Sequence, residues 1–187
     1  AGVLGGQIGW HSAFKGKTVV IYDPFPEALQ KAMVAHDTYA QIYKTDLGAS
    51  DADIAATRAR LTLSGDLKAA VAQADFVIEA VPEVPDIKTQ VYREMARLLA
   101  PHTLIATNSS TLLARDFADA TGRPAKFCAL HFANLIWTLN LAEVMAHAGT
   151  ARETLTAVTD FAIEIGMVPI PEQKEQHGYV LNSWFVP

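Results

Sequence analysis

Short apolar runs alternate along this chain with longer stretches in which apolar positions recur every three or four residues. The runs Lys17–Asp23 (KTVVIYD), Phe76–Val81 (FVIEAV), Thr103–Thr107, Phe127–Leu130 and Leu141–Met145 read as strands, with shorter ones at Leu61–Leu63 and Met167–Ile170. Apolar runs with so few interruptions are the pattern of parallel strands buried on both faces. Gly5–Phe14, Glu27–Lys44, Asp51–Arg60, Leu67–Ala72, Asp86–Leu99 and Ala151–Ile165 read as helices. Ser50 is placed to cap the third of these, and Gly166 to stop the last. Asn108–Thr111 is a polar loop expected to cap a further helix. Pro169 and Pro171 put the last strand at a sheet edge, because proline donates no ladder hydrogen bond.

Strands alternating with helices predict an α/β fold, a Rossmann-like doubly wound and mostly parallel sheet. Its first strand is expected upstream of Ala1. The helices between Glu27 and Arg60 exceed an ordinary crossover and are expected to form a helical-pair insertion after the second strand. Gly178–Pro187 (GYVLNSWFVP) reads as the opening of another apolar helix. No internal repeat or low-complexity linker interrupts the pattern.

Composition narrows the function classes. Half of the 187 residues are hydrophobic and 19% are charged, which supports a sizeable folded core over disorder. Fifteen basic residues stand against 20 acidic ones, a net charge of -5, with no basic cluster to bind nucleic acid. Cys128 is the single cysteine, so no intramolecular disulfide forms, in keeping with a reducing cytosol. No apolar run reaches membrane-span length and no signal peptide opens the chain. The expectation is a cytoplasmic protein with neither membrane nor nucleic-acid partner.

Two stretches carry candidate chemistry. Gly2-Val3-Leu4-Gly5 has the spacing of the last two glycines of G-x-G-x-x-G, and it opens a helix whose N-terminal amides can receive a pyrophosphate. Asp23 follows about twenty residues on, where the fingerprint places a carboxylate for the ribose hydroxyls. A carboxylate there repels a 2′-phosphate, which favours NAD over NADP. The plainer reading gives the glycines to helix packing and Asp23 to the end of a strand. Further on, Leu130–Val144 places His131, Asn134 and Glu143 in a segment with no other ionised side chain. If the two flanking runs share a sheet, an imidazole meets a carboxylate, the arrangement of an oriented general base. The alternative is a structural histidine and a glutamate facing water. No second His or Cys lies nearby at ligand spacing, so no metal site is expected.

In order, the motifs GVLGGQIG, VVIYD, FVIEAVPE with Lys88 downstream, TNSS, ALHFAN, LAEV and HGYVLN resemble the NAD-binding domain of the L-3-hydroxyacyl-CoA dehydrogenases, of the 3-hydroxybutyryl-CoA dehydrogenase kind. The resemblance implies NAD as cofactor and oxidation of the 3-hydroxyl of a short-chain 3-hydroxyacyl-CoA in fatty acid metabolism. It makes His131 the base and Glu143 its orienting partner, has Asn134 hydrogen-bond the reacting oxygen or position the nicotinamide, and has Ser110 contact the substrate's oxygen and the cofactor. Ser110 and Asn182 would line the substrate pocket. Gly2, Val3, Leu4, Gly5, Asp23, Glu83, Lys88 and Asn108 would face NAD, and the helical pair would stand near the CoA moiety. The family pattern also implies an NAD-binding domain over residues 1–177 and a C-terminal helical domain opening at 178–187. That second domain, otherwise absent from this chain, would complete the pocket and form a homodimer.

Four positions depart from the pattern. Ala133 and Leu135 replace an aromatic and a proline, and His177 and Ser183 replace a proline and an arginine. These bear on the acyl pocket. A free hydroxy acid such as gulonate or carnitine is therefore an alternative substrate, and a non-catalytic NAD-binding protein an alternative class. Trp137 either narrows the pocket or packs its loop.

Overall fold

Every apolar run named above folds as a strand in the computed structural model, which describes residues 2–172, 175–177 and 179. The described chain divides into two compact units.

The first unit runs to Ala70 and includes Asn134–Leu139. It contains α1 (Val3–Phe14), β1 (Val19–Tyr22), α2 (Pro26–Leu47), α3 (Asp51–Ala59) and β2 (Leu61–Ser64). The two strands pair in parallel, from Val19↔Leu61 to Tyr22↔Ser64, and α2 with α3 is the expected helical pair between them. Gly48, at φ 68°, ends α2 in the left-handed conformation that glycine adopts without strain. A full capping box starts α3: Ser50 Oγ accepts from the Asp53 amide and Asp53 Oδ2 from the Ser50 amide. Helix α1 lies close over β1 at Gly9, where a Cβ would come within 2.6 Å of Ile21 Cδ1. An aromatic core of Trp10, Tyr39 and Tyr43 with Ala40 and Ile54 fixes α1 against the helical pair. Strand β1 is less enclosed than its apolar run suggests. Ile21 alone is buried and Val20 is 43% exposed, because β2 is the one strand paired with it among the described residues.

The second unit comprises Val71–Ala133 and the chain from Asn140 onward. It contains β3 (Phe76–Glu79), α5 (Pro85–Ala96), β4 (Leu104–Thr107), β5 (Phe127–Phe132), β6 (Leu141–Met145), α6 (Arg152–Glu164) and β7 (Val168–Glu172). A short helix, α4 (Leu67–Val71), precedes β3. The sheet order is β3-β4-β5-β6-β7, parallel throughout except between β5 and β6. The fold is thus α/β and Rossmann-like, with mostly parallel pairing, and proline-bearing β7 stands at the edge as expected. Every residue of β5 is buried, Cys128 included.

Two expectations are corrected here. No α-helix follows the Asn108–Thr111 loop; three 3-10 turns take its place, at Ala114–Asp116, Asp119–Thr121 and Pro124–Lys126. Gly122, at φ 65°, and Pro124 break the segment before a helix can propagate. In β3 the burial is the reverse of the hydropathy: Phe76, Val77 and Ile78 are half-buried, and Glu79 is buried. Asn182, Ser183 and, apart from Tyr179, the expected opening of a helical domain lie outside the described residues. No helix among those described is long and apolar enough to cross a membrane.

Candidate active site

The antiparallel pairing of β5 with β6 sets His131 directly across from Glu143. Residues opposed in this way project from the same face of a sheet. His131 Nδ1 lies 2.7 Å from Glu143 Oε2, with the histidine 4% and the glutamate 0% exposed. A buried carboxylate demands a strong donor, so the ring proton belongs on Nδ1 and is donated to Glu143. Nε2 then carries the lone pair. Ser110 Oγ stands 3.2 Å from Nε2 and can donate to it.

Ser110 sits in a turn held from several directions. Asn108 is buried; its amide donates to the Glu79 carbonyl and its Oδ1 accepts from the Phe132 amide, tying the end of β4 to β5. Glu83 Oε1 accepts from the amides of Ser110 at 3.0 Å, Thr111 at 2.8 Å and Leu112 at 3.2 Å, and from the hydroxyls of Ser109 and Thr111. Partial burial raises the Glu83 pKa, but these hydrogen bonds and the Lys88 charge outweigh it and bring the carboxyl down to about 2. Glu83 Oε2 lies 3.2 Å from Lys88 Nζ.

Lys88 is itself 1% exposed. Its ammonium donates to both oxygens of Glu79, at 2.8 and 3.1 Å. Glu79 also accepts from the Tyr92 hydroxyl, from Thr107 Oγ1 at 2.8 Å and from the Val81 amide at 2.7 Å. Glu79, Tyr92 and Thr107 were not among the sequence candidates. The signal for Glu79 was present, since an acid in an apolar strand with a lysine nine positions on fits a buried pair as well as a solvent-facing charge.

The first unit holds the glycine candidates. Gly2 caps α1, whose first turn takes in Val3, Leu4 and Gly5 and carries no acidic side chain. The positive end of that helix is therefore open to an anionic group. Asp23 follows β1 directly, and its Oδ1 accepts from the Phe25 amide. The glycine-started helix and the carboxylate closing the next strand suit a dinucleotide. Asn134 also belongs to this unit and is exposed. Leu135 has φ 60°, and its amide donates to Gln7 Oε1 at 2.8 Å. Proline could do neither, which gives the departure at this position a structural counterpart. The Trp137 ring packs on Tyr39 and Tyr43, at centroid distances of 5.8 and 6.0 Å. Among the described residues no three His, Cys, Asp or Glu side chains gather as a metal site.

A mostly parallel α/β fold, a glycine-opened first helix and a buried His–Glu pair with serine at the free nitrogen define a Rossmann-like protein of the dehydrogenase kind. Residues 1–176 match the family model of the 3-hydroxyacyl-CoA dehydrogenase NAD binding domain. The chain belongs to that family, and its cofactor is NAD. It is 30% identical over 195 residues to the mitochondrial hydroxyacyl-coenzyme A dehydrogenase of Sus scrofa and 29% identical to that of Homo sapiens, covering all of this chain and 60% of each relative. Among solved structures, a diketoreductase described by its catalysis of dicarbonyl compounds is 46% identical with a TM-score of 0.94, over 97% of this chain and 65% of that one. The (S)-3-hydroxybutyryl-CoA dehydrogenase of Ralstonia eutropha is 26% identical with a TM-score of 0.91, over 96% of this chain and 63% of that one. The chain thus spans about 60% of the length of the curated relatives it matches.

Proposed function

We propose that this chain is the NAD-binding, base-carrying part of a dehydrogenase that interconverts the 3-hydroxyl and 3-keto groups of a short-chain 3-hydroxyacyl-CoA. The observation that supports this most directly is the His131–Glu143 pair at 2.7 Å with Ser110 Oγ at the other ring nitrogen. Glu143 holds the Nδ1 proton and fixes the in-plane direction of the imidazole. His131 Nε2 removes the substrate hydroxyl proton, and Ser110 and Asn134 hold the reacting oxygen. Bound NAD would supply the hydride acceptor for the carbon that bears this hydroxyl. Gly2, Val3, Leu4 and Gly5 offer helix amides to its phosphates, and Asp23 serves its ribose hydroxyls. Glu83, Lys88 and Asn108 complete the cofactor set, and the position of Asn182 adds to the substrate contacts. The resemblance supports these assignments residue by residue.

The greater length of the relatives is in keeping with an NAD-binding domain ending near residue 177, and the resemblance adds a following helical domain that would form a homodimer. The single cysteine supports a cytoplasmic location, whereas the curated relatives cited above are named mitochondrial; fractionation of the source cell decides between the two.

A second reading is favoured by the diketoreductase at 46% identity. Here the substrate is a dicarbonyl compound; its reduction would take hydride from the reduced form of NAD, with protonated His131 returning the proton to the carbonyl oxygen. Steady-state assays of the full-length protein with acetoacetyl-CoA, a free β-diketone, gulonate and carnitine separate these readings. In the same assays His131→Gln should lose about 100- to 10,000-fold in kcat, as expected for loss of a general base, while binding NAD as the parent does. Turnover near that of the parent would remove His131 from the mechanism.

A further inference from the structure

Tyr179 combines three observations that the proposed chemistry leaves unused. Its ring stacks on the His131 imidazole, with centroids 4.6 Å apart and planes inclined by 25°. It is completely buried. Its backbone has φ 53°, a left-handed conformation uncommon for a bulky side chain. Strain of this kind persists only where its surroundings enforce it, and it gathers at functional sites. Burial also holds the phenol above its ordinary pKa, with the charges of Glu83, Glu172 and Glu143 adding to the effect, so the ring stays neutral.

We propose that Tyr179 is a positioning residue for the base: its face closes one side of the His131 imidazole to water and holds the plane of a ring whose in-plane direction Glu143 sets. The proposal rests on His131 being the base. Glu143 fixes the in-plane direction of the imidazole through Nδ1, and Ser110 meets Nε2. Neither hydrogen bond prevents the ring from rocking about the line joining them, and a stacked ring does. When His131 takes the substrate proton, the imidazolium rests on the negative face of an aromatic ring, which favours the charged form. The hydroxyl of Tyr179 has no part in this role. Phenylalanine should therefore replace tyrosine, and leucine, which has neither a flat face to lie along the imidazole nor π electrons, should not.

The test uses the full-length protein in three forms: parent, Tyr179→Phe and Tyr179→Leu. The leucine variant should lose about 3- to 30-fold in kcat with KM for NAD unchanged. The phenylalanine variant should stay within about 2-fold of the parent in both. An NMR readout stands apart from activity. The His131 Cε1 proton, assigned by its loss in His131→Gln, should show an upfield ring-current displacement in parent and Tyr179→Phe and lose it in Tyr179→Leu. Parent-like kcat in Tyr179→Leu overturns the proposal. So does the absence of the displacement in the parent, which needs no folded leucine variant. If His131→Gln turns over like the parent while the ring-current pattern holds, the base assignment fails and the stacking geometry stands.

Discussion

Replacing Lys88 by methionine tests the buried Lys88–Glu79 ion pair of the second unit. Met keeps the length and apolar stem of the lysine and removes only the ammonium. In the parent that ammonium lies 2.8 and 3.1 Å from the Glu79 oxygens and 3.2 Å from Glu83, with 1% of the lysine side chain exposed. Each hydrogen bond to a charged group contributes about 1.5–3 kcal/mol, and breaking a buried ion pair from one side costs about 3–5 kcal/mol. The lower part of that range is expected, because Glu79 keeps the Tyr92, Thr107 and Val81 donors. Urea unfolding without NAD isolates this effect from any role of Lys88 toward the cofactor. With m of roughly 1–3 kcal/mol/M, a loss of about 3 kcal/mol lowers the midpoint by about 1 M or more. Adding Glu79→Gln should restore at least about 1 kcal/mol, since a neutral amide still accepts from Tyr92 and Thr107 and strands no charge. A Lys88→Met midpoint within about 0.2 M of the parent, corresponding to less than about 0.6 kcal/mol, would refute the buried pair.

Three further outcomes follow from named contacts. The Glu83 carboxyl is depressed from 4.5 to about 2 in the folded protein, so its contribution is complete above pH 4.5 and is lost as pH falls toward 2; the midpoint difference between parent and Glu83→Gln should close over that window, and a difference independent of pH would contradict the hydrogen-bonded carboxylate. Gly9→Ala puts a methyl group 2.6 Å from Ile21 Cδ1 and should destabilise by about 1–3 kcal/mol in the same unfolding assay, against no effect if α1 can lift from β1 freely. Leu135→Pro is barred by φ 60° and removes the amide bonded to Gln7, so it should destabilise by more than about 1 kcal/mol; an unchanged midpoint would mean that the loop adopts another conformation.

The strand runs were legible because a parallel sheet leaves few polar positions in its central strands, and β5, buried at every residue, shows this most clearly. The Ser50 cap was legible because a capping box is local, needing only Ser50 and Asp53. The meeting of His131 with Glu143 was readable as a possibility. Its register depends on the loop between β5 and β6, and a slip of one residue would turn the glutamate to the other face. Glu79 was missed because hydropathy assigns an acid to solvent. Its burial depends on Lys88, Tyr92 and Thr107 arriving from α5 and β4, which no local pattern specifies. The 3-10 turns were missed for the opposite reason. A loop with good capping residues was given a helix that Gly122 and Pro124 do not allow. For Lys88, expected to face the cofactor, the sequence did not show that its ammonium also pairs with two carboxylates of its own chain.

The turn from Thr107 to Leu112 shows what these buried charges accomplish together. Thr107 Oγ1 donates to Glu79 and accepts from the Ser109 amide, so the charge cluster begins to shape the turn at its first residue. Asn108 accepts from the Phe132 amide, beside His131, and couples the turn to the strand that carries this histidine. Glu83 receives the amides of Ser110, Thr111 and Leu112, and Lys88 holds Glu83 and Glu79 at once. Ser110, between these anchors, has little freedom to move its backbone away from His131 Nε2. Under the function proposed above, a hydroxyl fixed in this way would meet the reacting oxygen without reorganising, the kind of preorganisation from which catalytic sites gain most. Under that same proposal, the Glu79–Lys88–Glu83 cluster would act on the chemistry through the geometry of the Thr107–Leu112 turn. Disrupting it should lower turnover even where the fold survives.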